Sequence, residues 1–421
     1  MSVEAPAECP QCAGPLVSEQ STIVWCAGCD WNLDAYDAER TGLLARWNHR
    51  TAFRLNREMF GALAGDVPRS RGWSTARVVL LTASALLFAV TVGLAVGGIW
   101  LISFNFPNFA TLLLGLVLLA LAALLRPRLH RFTDTYDAVS REEAPALFAL
   151  VERVAAAIGA PAPSIIVVNG DFNASAGTYG LRRRTVLRLG LPLWGVLGPQ
   201  QRIALLGHEL GHFVNGDPTH ALLTQQAFRT LGQVAAVLAP EGLRMRRPGE
   251  RLAQLIVWPL FWLASRTAAA GQMVLLWVGM REHQRAEYAA DAAAARVAGT
   301  EATVRLLDDL VIGSSLELAI RTTELNARAH RGGLAGVTAW QSAAARVRAD
   351  LADRIPVLRQ RTIRSDANLA ESHPPAGYRA RIVESWPATP AGIELDAADS
   401  ARVDAELAKR YTRVGRDIVQ A

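Results

Sequence analysis

The sequence predicts a mainly helical α+β fold with a small β-sheet, an apolar helical hairpin and a small cysteine-rich module at the N-terminus. Three observations carry this. Val78 to Leu125 is a run of 48 residues without Asp, Glu, Lys, Arg or His, long enough for two spans of about 20 residues each. Three short β-branched runs between Ser164 and Leu189 break an otherwise helical periodicity. All four cysteines fall in the first 29 positions of a 421-residue chain, so their job is local. With 51% hydrophobic and 19% charged residues, the chain is too apolar for disorder and too long for one compact core. The net charge of +6 comes from arginine, because Lys409 is the only lysine. No P-loop is present, and a Schiff-base lysine is not expected.

From the N-terminus, Cys9-Pro-Gln-Cys12 and Cys26-Ala-Gly-Cys29 are two C-x-x-C knuckles, each able to bring two thiolates to one tetrahedral metal. This spacing predicts a structural zinc ribbon over residues 1-35. Four thiolates close the coordination shell, so the module docks and does no chemistry, and its loss should leave peptide chemistry elsewhere intact. The ribbon has no arginine cluster to hold phosphates, so no nucleic acid is expected as a partner. Asp37 to Leu63 has an amphipathic helical pattern, read either as lying on a membrane surface or as packed on the ribbon; a linker, Gly65 to Ser74, completes residues 36-76.

The apolar run reads as a transmembrane hairpin within residues 77-131, Val78 to Phe104 and Asn108 to Leu125, turned at Asn105-Phe106-Pro107. Arg69, Arg71 and Arg77 precede it and Arg126, Arg128 and Arg131 follow it. The positive-inside rule then places both flanks in the cytoplasm, as for a multi-pass inner-membrane protein in contact with the lipid bilayer.

A further domain, residues 132-383, opens with the capping box Ser140-Arg-Glu-Glu143 and a helix closed by Gly159 and Pro161. Strands are predicted at Ser164 to Val168, Asn173 to Ala176 and Thr185 to Leu189. Pro199 starts a helix, Gln200 to Val214, containing Leu206-Gly-His208-Glu209-Leu-Gly-His212-Phe-Val-Asn215-Gly-Asp217. Histidines at i and i+4 share a face, so His208 and His212 can converge on one zinc ion, and Glu209 on the adjoining flank is placed to deprotonate a water held there. Gly207 and Gly211 each cost up to about 1 kcal/mol of helix stability relative to alanine, which implies that something approaches that helix closely.

A catalytic zinc needs a third protein ligand and one open position. Glu287, in Arg285-Ala-Glu287-Tyr-Ala-Ala-Asp291, is the best candidate, with Asp291 one turn on to accept the ring N–H of a ligand histidine. Glu282 and His283 are rivals. Leu252 to Met280 (252-280) is a second apolar stretch, interrupted only by Arg266. His212 precedes it and Glu287 follows it, so it must cross a membrane an even number of times or not at all; a hairpin turned near Arg266 and associated with the membrane is the favoured arrangement, ahead of two spans starting with Ala221 to Ala239 or of no crossing. Residues 384-421 read as a helical tail, with a helix from Asp399 to Ile418.

The motifs L-G-H-E-L-G-H-x-x-N-G-D and R-x-E-Y-x-A-D-x-x-A-A resemble those of the HtpX-like and CAAX-prenyl-protease-like family of membrane zinc metallopeptidases. Asn173-Ala174-Ser175-Ala176 is similar to that family's substrate-side edge strand, and Ser372-His373-Pro374-Pro375 with Arg379 to its C-terminal H-P-x-x-x-x-R element. The resemblance implies a zincin-type metallopeptidase domain. It also implies that His373 and Arg379, with Arg381 as fallback, steady the substrate carbonyl and the oxyanion. The expected protein is a membrane-anchored zinc endopeptidase with one catalytic and one structural Zn2+, acting on protein or peptide substrates such as misfolded membrane proteins, in quality control or regulated proteolysis. The alternatives are a prenyl-protein processing peptidase, a branch that carries more spans than this, and an inactive scaffold binding partners through the ribbon, against which an intact ligand set speaks.

Overall fold

The computed structural model describes residues 8–18, 23–34, 42–68, 74–104, 106, 108–126, 137–179, 184–214, 226–239, 251–331, 333–369, 371 and 373–420. Asn105 and Pro107 of the expected turn, Asn215, Asp217 and Ser372 lie outside these residues, as do the first residues of the helix expected from Asp37 and part of the Ala221 to Ala239 stretch. The chain forms two compact units, one of Met1–Ser70, Arg131–Asp217 and Gln284–Ala421, the other of Arg71–His130 and Pro218–His283.

In the first unit, β1 (Leu16–Val17) and β2 (Trp25–Cys26) pair antiparallel within the cysteine module. The amphipathic helix Leu43–Leu63 follows. A four-stranded sheet has the order β3-β4-β6-β5, from β3 (Ala138–Val139), β4 (Ile165–Asn169), β5 (Ala174–Tyr179) and β6 (Arg184–Gly190). β4 and β6 are parallel, and β5 is an edge strand antiparallel to β6, with Ser175 opposite Arg188. The three predicted strands therefore form, and β3 is added by a two-residue run too short to signal itself. Gly190 turns the chain from β6 into the short helix Leu191–Val196, where a Cβ would collide with the backbone of Asp171 and Asn173. Leu187 and Leu189 on one face of β6, Ile166 and Val168 of β4, Leu147 and Val151 of helix Pro145–Ile158, and Leu206 and Leu210 of helix Pro199–Val214 share one core.

Two details differ from expectation. Ser140 Oγ does accept from the Glu143 N–H (3.2 Å), but this closes a turn, and the helix itself starts at Pro145, a residue whose fixed φ suits the first helical position. The tail is two helices, Ala397–Glu406 and Ala408–Gln420. Its Val403, Leu407, Tyr411 and Val414 are buried in the main core. The buried Arg202 secures it, donating to Ser400 Oγ (2.9 Å), Asp404 Oδ2 (3.0 Å) and the Trp194 carbonyl (3.1 Å).

In the second unit, helices Thr75–Phe104 and Phe109–Leu125 pack together with Gly98 against Gly115, where a Cβ on Gly98 would lie 2.8 Å from the Gly115 carbonyl oxygen. Asn108 caps the second helix, accepting from Ala110 N–H (3.0 Å). Thr75–Phe104, 30 residues and 11% buried in its most apolar window, is long and apolar enough to cross a membrane; Phe109–Leu125 is a shorter apolar helix.

The hairpin expected at Leu252 to Met280 does not form. One helix runs from Arg251 to Ala298, 48 residues, with Pro259 inside it and Arg266 in an unbroken stretch. The sequence around Arg266 explains this: Thr267-Ala-Ala-Ala-Gly271 offers strong helix formers and no turn pair. Arg266 lies over the Trp262 ring, 5.9 Å from its centroid, and Ser265 Oγ donates to the Ala235 carbonyl (2.8 Å) of helix Gln226–Val237.

Candidate metallopeptidase site

Pro199 opens the helix that bears the H-E-x-x-H string. The Gly198 N–H donates to Gln201 Oε1 (2.9 Å), and Gln200 Nε2 donates to the carbonyls of Ala298 (3.1 Å) and Ile393 (2.7 Å). Gln201 Nε2 reaches Asp309 Oδ2 at 2.6 Å. The polar residues at its N-terminus are thus anchors to neighbouring elements. Residues 202–211 are all buried.

The two glycines now have their reason. A Cβ on Gly207 would lie 2.6 Å from Val297 Cγ2 and 2.9 Å from Ala294 Cα, and one on Gly211 would lie 3.1 Å from Ala290 Cα. The alanine-rich end of the long helix, Ala289 to Ala295, lies against this glycine face. Close approach brings Glu287 and Asp291 of that helix to the histidines.

His208 Nε2 is 3.6 Å from Glu287 Oε2 and His212 Nε2 is 3.5 Å from Glu287 Oε1, with the two imidazole centroids 4.9 Å apart. Donors tetrahedrally arranged at about 2.0–2.1 Å from one zinc ion are about 3.3–3.4 Å apart, so this spacing suits a shared ion better than a direct hydrogen bond. His373 is different. Its Nδ1 is 2.6 Å from Glu287 Oε2, a hydrogen-bond length, and its side chain is 38% exposed. His208, Glu287 and His373 also form a group whose ligand atoms all lie within 4.8 Å of one another. His212 Nε2 faces the other oxygen of the same carboxylate, Oε1, which His373 does not engage. Glu209, 5% exposed, makes no hydrogen bond or ion pair among the described residues, which leaves its carboxylate free to hold water.

Behind the histidines stands a buried charge pair. Asp291 Oδ1 is 3.0 Å from His208 Nδ1, which orients Nε2 toward Glu287. Arg379 donates to both oxygens of Asp291, Nε to Oδ2 at 2.9 Å and Nη2 to Oδ1 at 2.6 Å. Arg379 Nη2 also lies 3.1 Å from His208 Nδ1 and 3.3 Å from His208 Nε2, so its guanidinium braces Asp291 and the imidazole together. The fallback Arg381 lies elsewhere, paired with Asp30 at 2.7 Å. Of the rival ligands, Glu282 pairs with Arg77 at 2.8 Å, and His283 belongs to neither convergent group.

Burial disfavours the charged ring of His208, Arg379 adds to this, and the pKa is lowered from 6.5, so the ring is neutral and able to bind metal. Burial alone would raise the Glu287 pKa, but the imidazoles of His373, His212 and His208 hold it well below the ordinary carboxylate range. Asp291 follows the same logic: burial raises it, Arg379 and His208 outweigh burial, and the result is about 2.

In the N-terminal module, the four cysteines are free thiols whose sulfur atoms converge, Cys9 Sγ to Cys29 Sγ 3.6 Å and Cys12 Sγ to Cys26 Sγ 3.4 Å. Four sulfurs at about 2.3 Å from one zinc ion would be about 3.8 Å apart. The Gln11 and Gly28 N–H groups point at Cys9 Sγ (3.4 Å) and Cys26 Sγ (3.3 Å), as donors to thiolate charge. β5, which contains the expected substrate strand apart from Asn173, lies against the H-E-x-x-H helix. The Asn173 carbonyl accepts from Gly190 N–H at 2.9 Å.

A family model described as peptidase family M48 matches residues 141–387. Among curated proteins, the chain is 28% identical over 169 residues to a protein named protease HtpX from Stenotrophomonas maltophilia (strain K279a), covering 39% of this chain and 57% of that protein. It is 29% identical over 170 residues to protease HtpX of Xanthomonas euvesicatoria pv. vesicatoria (strain 85-10), covering 39% and 56%. A protease HtpX homolog of Moorella thermoacetica is 38% identical over 90 residues, 21% of this chain and 29% of that protein. The match thus spans little more than half the length of these first two relatives. No solved structure matches.

Proposed function

Because the chain belongs to peptidase family M48, we propose that it is a zinc-dependent endopeptidase held at a membrane. The observation that carries this reading is the convergence of His208 Nε2, His212 Nε2 and Glu287 at 3.5–3.6 Å beside Glu209, whose carboxylate has no partner among the described residues. Zinc held by His208, His212 and Glu287 would supply a Lewis acid that polarises the scissile carbonyl and lowers the pKa of water.

The chain's own groups do the rest. Glu209 takes a proton from the attacking water and delivers it to the leaving amine as the C–N bond breaks. His373, held by Glu287 and partly exposed, is the group on the open side that hydrogen-bonds the carbonyl oxygen as negative charge develops there. Arg379 acts through Asp291 and on the ring itself, steadying the orientation of His208. A substrate in extended conformation adds as a strand beside β5, gaining affinity from backbone hydrogen bonds with little sequence selectivity.

Helices Thr75–Phe104 and Phe109–Leu125 serve as the membrane hairpin, with both arginine-rich flanks, the ribbon and the catalytic domain on the cytoplasmic side of the inner membrane. The four-cysteine module holds a second, structural zinc. Such a protein suits the cleavage of misfolded membrane proteins. The test is metal analysis of the purified full chain with cleavage of an unfolded protein, with and without chelator. Two zinc ions per chain and chelator-sensitive cleavage are expected; cleavage indifferent to chelator overturns the reading.

A further inference from the structure

The second C-x-x-C knuckle is gripped by the segment that delivers His373 and Arg379. Gln360, fully buried in helix Ile355–Ser365, directs its whole side-chain amide at the knuckle. Its Nε2 has the carbonyls of Cys26 (3.1 Å) and Ala27 (3.0 Å) and Asp30 Oδ1 (2.5 Å) in reach, and its Oε1 accepts from Trp25 Nε1 (3.0 Å). One turn on, Arg364 donates to the Ile23 carbonyl (2.5 Å) and lies 5.1 Å from the centroid of the Trp25 ring. From helix Ala376–Ser385, Arg381 forms a two-point pair with Asp30 at 2.7 and 3.2 Å.

The groups gripped here are those that metal binding shapes. Ala27 lies between Cys26 and Cys29, and Asp30 follows Cys29 in a left-handed conformation, φ 56°. Among the described residues, strand pairing nearby is limited to the two-residue ladder of β1 and β2 and the isolated bridge of Glu8 with Pro15. An ion bound by the four convergent sulfurs would fix the spacing of Cys26 and Cys29, and with it the place of Ala27 and Asp30.

The same grip continues into the catalytic element. Thr362 Oγ1 accepts from the Gly377 N–H (3.0 Å), and Gly377 packs so tightly on the Arg359 backbone that a Cβ would collide with it. Arg359 also pairs with Glu384 at 2.8 Å. On the other side, Asn48 of helix Leu43–Leu63 donates to Asn368 Oδ1 (2.8 Å) and accepts from the Leu369 N–H (3.0 Å), just before His373. Gly377 is four residues from His373 and two from Arg379.

We propose that Gln360 and Arg381 are positioning residues that use the metal-closed knuckle to set His373 and Arg379, so that occupancy of the four-cysteine site governs the rate at the H-E-x-x-H site. This reverses the sequence-based expectation that loss of the ribbon leaves peptide hydrolysis intact. Its kinetic arm rests on the peptidase reading above, and its structural arm does not.

The experiment uses the full chain in detergent and compares wild type with Cys12→Ser, Asp30→Asn, Arg381→Gln and Arg381→Lys. It measures zinc per chain, hydrogen exchange over residues 373–385, and kcat and KM on an unfolded protein. Cys12→Ser should lose one zinc ion. Asp30→Asn and Arg381→Gln should keep both, speed exchange over 373–385 while the H-E-x-x-H helix stays protected, and lower kcat about tenfold or more with KM within about twofold, as expected when a reacting group is misplaced. Arg381→Lys should recover most of the rate. If Cys12→Ser does not fold, the Asp30 and Arg381 variants decide. Unchanged exchange and kcat in Asp30→Asn and Arg381→Gln overturn the proposal. Should wild type and Glu209→Gln cleave equally, the peptidase reading fails, and the exchange measurement still decides the coupling.

Discussion

Arg379 and Asp291, 88 residues apart in the chain, form a buried two-point ion pair, and the same carboxylate stands 3.0 Å from His208 Nδ1. The pair explains how two full charges tolerate burial beside a neutral imidazole. Each satisfies the other, and the remaining hydrogen bond is delivered to the ring.

Arg379→Ala leaves a carboxylate buried without its partner. We expect a stability loss of about 3–5 kcal/mol and zinc affinity at the H-E-x-x-H site weakened about 10–100-fold, read by thermal denaturation and chelator competition. Zinc affinity equal to wild type would reduce the pair to scaffolding.

Glu209→Gln keeps size and all three ligands but removes the base. Metal content should stay at the wild-type value while activity falls at least about a hundredfold. Near-normal cleavage would sink the mechanism.

His212 and His373 are separated by a pair of substitutions. His212→Ala should release the catalytic zinc, whereas His373→Ala should retain it and lower kcat. The opposite pattern would make His373 the ligand, in line with its closer approach to Glu287.

The Asp291 carboxylate gives a pH signature in metal-free protein. Its pKa is depressed from 3.8 to about 2, so the stability it contributes is complete above 3.8 and is lost as pH falls through about 2. The stability gap between wild type and Asp291→Asn, measured by denaturant unfolding with chelator, should be constant from pH 7 to 5 and close only toward pH 2. A gap that closes near pH 6 would assign it to a histidine.

Gly207→Ala gains helix propensity but drives a methyl group toward Val297 and Ala294. Overpacking should win, with a net loss of about 1–3 kcal/mol and weaker zinc binding as Glu287 is pushed away. A stabilised variant would show that the two helices separate freely.

Much of this site was legible because its chemistry is local in sequence. His208 and His212 share a helix face, Glu287 and Asp291 share another, and the glycines announced a close neighbour before the alanine-rich helix was known. What the sequence hid was long-range. Nothing near Arg379 marks Asp291 as its partner, and Gln360 carries no charge or motif to mark the cysteine knuckle 334 residues away. The uninterrupted helix through Arg266 is hidden for a different reason: the requirement that His212 and Glu287 lie on one side of a membrane favours a turn at the lone charge, whereas the alanines beside it favour continuation.

The distance in sequence between His208 and Arg379, 171 residues, has a consequence for biosynthesis. At about 5–20 residues per second, a ribosome takes roughly 9–34 s to pass from one to the other. Throughout that interval the emerging chain holds His208 and His212 without the Arg379 that completes their support. A nascent chain stalled before Arg379 should therefore bind zinc at the H-E-x-x-H site more weakly than the longer chain.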